Sequence, residues 1–230
     1  MKTIGLLGGM SWESSLEYYR ILNETVKARL GGFHSADCLM YSVDFDEVEA
    51  LQHQDKWDEL TEMMIDAAQR IEAGGAEILV ICTNTMHKMA PEMQAAIQIP
   101  LLHIADAAGE AIKAQGLQTV GLLGTKFTME GDFYRKRLSE RFGLNVLIPE
   151  EADRERVHNT IYGELVKGVI NPESRRAFQD IIKKLEAKGA QGVILGCTEI
   201  PLLVKQADVA IPVFDTSRIH AEAAVDWALT

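Results

Sequence analysis

"GAEILVICTN", Gly75 to Asn84, is an apolar run, Ile78 to Cys82, that stops abruptly at Thr83 and Asn84. Its length and β-branched residues suit a strand. The lack of any polar alternation suits a strand covered on both faces, as parallel strands are. On its N-terminal side lies "WDELTEMMIDAAQRIEAGG", in which Leu60, Met63, Met64, Ala67, Ala68 and Ile71 fall on one helical stripe before the stop at Gly74-Gly75. Further back come "CLMYSVDF", "SSLEYYRILNETVKARLGG" and "TIGLLGG", again strand, helix and strand. Strand–helix alternation of this kind predicts βαβ units and a mainly parallel sheet, the α/β class.

The same stretch returns later. "GAQGVILGCT" begins at Gly189, 114 residues on. "IGLLGGMSWE" at Ile4 matches "VGLLGTKFTME" at Val120 with an offset of 116, and "IPLLHIADAAGEA" at Ile99 matches "IPVFDTSRIHAEA" at Ile211 with an offset of 112. Three matches in order, with slowly drifting offsets, indicate duplicated halves. The expectation is two similar α/β lobes, each a mainly parallel sheet flanked by helices. The first covers 1–102, with 216–230 returning to it, and the second covers 103–215. Ligands of open parallel sheets bind beyond the C-terminal strand ends. A site is therefore expected in the cleft between the lobes, lined by Gly8–Ser11, Thr83–Thr85, Thr125 and Cys197–Glu199.

The 230 residues carry 34 acids and 23 bases, a net charge of −11, with no Lys/Arg cluster to follow phosphates; nucleic acid is not an expected partner. No apolar run approaches the roughly 18 residues of a membrane span. "MKTIGLLGGM" reads as a first strand rather than a signal peptide, because charged helix-like sequence follows at once. Three cysteines, Cys38, Cys82 and Cys197, show no CxxC spacing, which fits reduced thiols and a cytoplasmic location. Cys82 and His87 lack the further ligands that a zinc site needs, so no metal is expected.

The 114-residue offset pairs Cys197 with Thr83, and Cys82 with Gly196. Since side chains alternate along a strand, Cys82 should point into packing while Thr83 and Cys197 face the site. Cys38 reads as another small buried apolar group. At the end of its strand Cys197 is followed by Thr198 and Glu199, where helix N-terminal amides are expected to lower the thiol pKa. "GLLGGMSWES" lacks both nucleotide-loop patterns; it is either an anion-binding turn into a helix or a plain strand-to-helix turn. Asn84, Thr85 and Thr125 suit carboxylate or ammonium groups by type but equally suit helix caps. His87, His103 and His220 read as core or helix-end histidines. Lys167 is either an anion clamp or a solvated helix end.

Together "GLLGGMSWES", "SVDF", "CTNTMHK", "HIADA", "LLGTKFTME", "DFYRKRL", "QGVILGCTEI" and "PVFDT" resemble the cofactor-independent aspartate/glutamate racemase family, in particular its L-aspartate/glutamate-specific branch. The resemblance implies two α/β lobes, a homodimer, an amino-acid substrate and no cofactor. It also implies inversion of the α-carbon by two groups on opposite faces, one removing the α-proton and one donating a proton. In relatives both groups are cysteines. Here the motifs fall on Thr83-Asn84-Thr85 and Gly196-Cys197-Thr198-Glu199, so a threonine replaces the first thiol, the same pairing that the internal repeat indicates. By the same resemblance Cys197 faces the α-proton of the L-antipode and Thr83 that of the D-antipode. Met10, Ser11, Gln52, Asn84, Thr85, Thr125, Lys167, Thr198 and Glu199 are the implied substrate-binding residues. His53 and Gln54 stand where relatives often carry arginine. A single-cysteine lyase of the decarboxylase type and a non-catalytic amino-acid binding protein are the alternatives.

Overall fold

Eight short strands form two separate four-stranded sheets in the computed structural model, which describes residues 1–230. In chain order the strands are β1 (Ile4–Gly8), β2 (Cys38–Ser42), β3 (Ile78–Ile81), β4 (Leu101–Leu102), β5 (Thr119–Gly124), β6 (Asn145–Leu147), β7 (Val193–Gly196) and β8 (Val213–Asp215). The sheets run in the orders β2-β1-β3-β4 and β6-β5-β7-β8, and every pairing is parallel. The helices are α1 (Trp12–Leu30), α2 (Phe45–His53), α3 (Trp57–Ala73), α4 (Ala90–Ala96), α5 (Ile104–Ala114), α6 (Lys126–Glu130), α7 (Asp132–Phe142), α8 (Glu151–Gly163), α9 (Pro172–Ala187), α10 (Ile200–Leu203) and α11 (Thr216–Ala228). The chain divides into one unit of Met1–His103 with His220–Thr230 and another of Ile104–Ile219. Each is a parallel sheet flanked by helices, the α/β architecture expected from the alternating pattern.

In the first unit the two faces of the sheet are read directly from strand alternation. Ile4, Leu6, Ile78, Val80 and Cys82 pack with Tyr18, Ile21, Leu22 and Val26 of α1 and with Ala221, Ala224 and Val225 of α11. The intervening residues Leu7, Leu79 and Ile81 join the opposite layer, with Val48 of α2, Met93 of α4, and Leu60, Met64, Ala67, Ala68 and Ile71 of α3. Both layers exclude water, so a four-residue strand such as β3 has no polar position to spare. Each fully buried Leu or Ile here contributes about 1.5–3 kcal/mol.

The second unit is built alike around Val120, Leu122, Leu123 and Val193–Leu195. α9 starts at an Asn171 cap followed by Pro172, and it buries Ala177, Phe178, Ile181, Ile182 and Leu185 along one stripe. Asp106 accepts from both Arg137 and Arg141 at 2.6 Å, tying α5 to α7.

Strand register relates the two sheets position by position. Gly5 stands beside Leu79 in the first and Gly121 beside Val193 in the second. Val80 stands beside Leu102, and Ile194 beside Phe214. These ladders carry the offsets of the sequence repeat, 116 for β1 to β5, 114 for β3 to β7 and 112 for β4 to β8. Thr83 and Cys197 therefore occupy the same place, two residues past the equivalent ladder pairs Leu7–Ile81 and Leu123–Leu195.

Candidate active site

In the first unit three chain segments meet at the C-terminal ends of β1 and β3. β1 ends in Gly8, where a Cβ would lie 2.5 Å from Ser15 Oγ, and continues into Gly9, whose φ of +95° favours glycine. Serines lock the turn that follows. Gly9 N–H donates to Ser15 Oγ at 2.7 Å, and the Ser14 and Ser15 hydroxyls donate to the Ser11 carbonyl at 2.8 and 3.0 Å. Ser14 Oγ also lies 3.3 Å from the Cys82 carbonyl, linking the turn to the end of β3. Ser11 caps α1 with its side chain and is buried, as is Met10, which packs in the same layer as Val48 of α2. Gln52, near the end of α2, is 4% exposed and its Oε1 has no hydrogen-bond partner. An acceptor left unpaired in the interior costs about 1–3 kcal/mol unless something fills it.

Past β3, Cys82 is fully enclosed in the layer formed with α1 and α11, and burial pushes its thiol far up. Cys38 is half-buried, and burial raises its thiol too. Thr83 is partly exposed, while Asn84 and Thr85 are buried as the chain enters a 3-10 turn over Thr85–Met89. His87 folds back from that turn, and its Nδ1 donates to the Thr83 carbonyl at 2.8 Å. His87, His103 and His220 are all core residues in mutual contact, with ring centroids 4.6 Å apart in a tilted pair (His87–His103) and 5.6 Å apart edge-on (His87–His220).

In the second unit, β5 and β7 end side by side at Gly124 and Gly196, where a Cβ on Gly124 would meet the Gly196 carbonyl at 2.9 Å. Thr125 caps α6, accepting from the Thr128 amide at 3.3 Å. Cys197 is 9% exposed, and Thr198 and Glu199 are buried beside it. The Cys197 thiol donates to Glu199 Oε2 at 2.9 Å, and the Thr198 hydroxyl donates to the same oxygen at 2.9 Å. Burial, and then the Glu199 carboxylate, hold the thiol well above its ordinary value. The backbone amides of Glu199 and Thr198 pull the other way, and they lose. The sequence expectation of a lowered thiol is thus corrected. Burial, together with the nearby carboxylate, outweighs the amides of Thr198 and Glu199, and the helix that follows is only four residues long. Lys167, in a 3-10 turn over Leu165–Lys167, is exposed and forms no ion pair.

Of the expected site residues, Met10, Ser11, Gln52, Thr83, Asn84 and Thr85 lie in the first unit, and Thr125, Lys167, Cys197, Thr198 and Glu199 in the second. Sequence reasoning missed the Ser14–Ser15 lock, though a serine three residues after Ser11 is a cap-like signal. It also missed the bond from His87 to Thr83 and the commitment of Glu199 to the thiol. No group of three or more His, Cys, Asp or Glu side chains is placed to hold a metal ion, and no helix is long and apolar enough to cross a membrane.

The two-sheet α/β fold agrees with the comparisons to known proteins. The chain belongs to the Asp/Glu/hydantoin racemase family, whose model matches residues 7–224. Racemases are isomerases, and that is the enzyme class of the family. A Yersinia pestis protein provisionally described as an Asp/Glu racemase has a crystal structure with 54% identity, a TM-score of 0.94 and full coverage of both chains. An aspartate racemase homologue from Pyrococcus horikoshii OT3 is 36% identical over both full chains, with a TM-score of 0.87. A broad specificity amino-acid racemase of Bacillus subtilis is 24% identical over 98% of each chain. A Francisella tularensis glutamate racemase, solved with D-glutamate, is 15% identical with a TM-score of 0.70, covers 99% of this chain and 81% of its own, and shares the fold.

Proposed function

We propose that the protein racemises aspartate or glutamate by moving the α-proton without a cofactor, with Cys197 and Thr83 as the catalytic pair. The observation that carries this reading is the Cys197–Glu199 hydrogen bond of 2.9 Å at the end of β7, at the register position that Thr83 holds after β3. Only the thiolate removes an α-proton, and the resting thiol is protonated. Glu199 is the group in place to accept that proton. An arriving substrate ammonium favours the thiolate by its charge. Cys197 then takes the α-proton of the L-antipode, and the electron pair stays on the α-carbon, delocalised into the α-carboxyl group. Delivery of a proton to the opposite face, by way of Thr83, gives the D-antipode.

A threonine hydroxyl has no accessible anionic form at neutral pH, so it works by relaying a proton from water or a neighbouring group. Thr83 thereby raises the barrier shared by both directions. Free enantiomers have equal energy in achiral water, so kcat/KM must be equal in the two directions. An apparent preference for L arises only from a higher kcat offset by a higher KM. The remaining side chains suit an amino dicarboxylate. Gln52 Oε1 offers an acceptor for an ammonium, Lys167 a cation for a carboxylate, and Met10, Ser11, Asn84, Thr85, Thr125 and Thr198 line the substrate. A cytoplasmic homodimer completes the proposal.

The absence of a second thiol at Thr83 favours one other reading, a lyase in which loss of CO2 creates the carbanion and Cys197 alone protonates it. Incubation with L-aspartate and L-glutamate in D2O separates the two. Deuterium entering the α-position, with D-isomer accumulating, supports racemisation. An inert α-proton together with turnover of a substituted malonate supports the lyase, and an inert α-proton with tight amino-acid binding supports a non-catalytic binding protein.

A further inference from the structure

We infer that His87 is the positioning residue for Thr83, holding the weaker of the two catalytic groups in register through its main chain. The inference rests on the racemase reading above and adds a residue to it. A carbonyl oxygen only accepts, so the 2.8 Å contact between His87 Nδ1 and the Thr83 carbonyl fixes the proton of His87 on Nδ1. That bond sets the orientation of the peptide leaving Thr83, at the point where strand gives way to 3-10 turn, and so the direction in which the hydroxyl projects.

The His87 ring is itself held in place. His103 packs against it at a tilt of 55° with ring centroids 4.6 Å apart, and His220 lies edge-on at 5.6 Å. His220 is pinned at both nitrogens, with Nε2 donating to the Leu102 carbonyl at 2.8 Å and Nδ1 accepting from the Tyr18 hydroxyl at 2.9 Å. All three histidines and Tyr18 are buried. A packed, hydrogen-bonded shell of this kind keeps a reacting group within the narrow tolerance that catalysis needs.

The second unit does not repeat the device. There the Cys197 carbonyl accepts from the Ile200 amide at 3.1 Å, and the position matching His87 is Pro201. The Cys197 end is steered instead through its sulfur, by Glu199. The contrast has a chemical reason. A hydroxyl must approach to within about 2.5–3.0 Å to share a proton, whereas the larger sulfur reaches further. Misplacement therefore harms the threonine step first.

The test separates exchange from inversion. Cys197 takes and returns a proton on one face, and its thiol proton exchanges with solvent in between, so L-aspartate in D2O gains deuterium without Thr83. Formation of D-aspartate needs Thr83. NMR gives the first rate and chiral chromatography the second. In His87→Leu the exchange rate is expected to stay within about threefold of wild type, while inversion falls about 10- to 100-fold, the cost of a small misplacement. The exchange-to-inversion ratio then rises by about threefold or more. His87→Asn places an amide N–H where Nδ1 was and is expected to return the ratio to near wild type. His87→Gln keeps the polarity but carries its amide at the distance of Nε2, and is expected to behave as His87→Leu. The Asn and Gln pair keeps the test valid if the leucine variant does not fold. Exchange and inversion falling together in Gln, or equal ratios in Asn and Gln, would overturn the role of His87. No exchange by the wild-type protein would instead refute the racemase reading itself.

Discussion

Acid should loosen the first unit through His220, by an amount the structure sets. His220 is 0% exposed, and both ring nitrogens are engaged by neutral partners. Burial, and then the electrostatic influence of neighbouring His87, push its pKa from 6.5 down to about 3. The folded value lies below the unfolded one, so between those limits the unfolded chain binds a proton that the folded chain refuses. The neutral ring's contribution is fully present above pH 6.5 and is lost as pH falls toward 3. The slope is about 1.4 kcal/mol per pH unit, and the whole interval amounts to about 5 kcal/mol. His220→Gln cannot titrate and isolates the effect. All three tryptophans, Trp12, Trp57 and Trp227, belong to the first unit, so intrinsic fluorescence follows that unit alone. In urea unfolding at pH 6, 5.5 and 5, the stability advantage of wild type over His220→Gln should shrink by about 1.4 kcal/mol per pH unit. Parallel pH profiles for the two proteins would refute the reasoning, since they would mean that His220 binds its proton equally in both states.

Four further outcomes are expected. Cys197→Ser should lower α-proton exchange from L-aspartate about 10²- to 10⁴-fold without unfolding the protein, whereas Cys82→Ala should retain exchange; the reverse pattern in the same NMR assay would show that the strand register does not mark the catalytic group. Glu199→Gln removes the carboxylate that helps hold the thiol up, so the pH profile of iodoacetamide alkylation at Cys197 should move downward. Exchange in that variant should nevertheless fall about 10²-fold or more, and faster exchange would show that Glu199 is not the proton acceptor. Thr83→Cys should raise kcat/KM about 10- to 1000-fold, equally from L and from D at low substrate; no gain in a variant that still binds aspartate would remove Thr83 from the mechanism. Dialysis against EDTA should leave activity unchanged, and a loss restored by added metal would contradict a cofactor-free proton transfer.

Much of this was written into the sequence, because strand and helix periods are local properties of the chain. The uninterrupted run Ile78–Cys82 implied a strand covered on both faces, and the stripe Leu60–Ile71 implied its covering helix. The drifting offsets already aligned Thr83 with Cys197. The ladders reproduce that alignment because two sheets with the same buried pattern must share their register: a one-residue slip would turn Ile78 and Val80 to the wrong layer. Electrostatics and the direction of side chains beyond the strand ends escape such reading. Whether Cys197 is raised or lowered depends on burial and a carboxylate against two backbone amides, a sum over three-dimensional neighbours. His87 lies four residues from Thr83 in the chain, yet only the 3-10 turn bends its ring onto that carbonyl, and only His103 and His220, from other segments, hold it there. The composition of the strand ends is local and legible, whereas their solvation and their support come from residues that only the folded chain brings together.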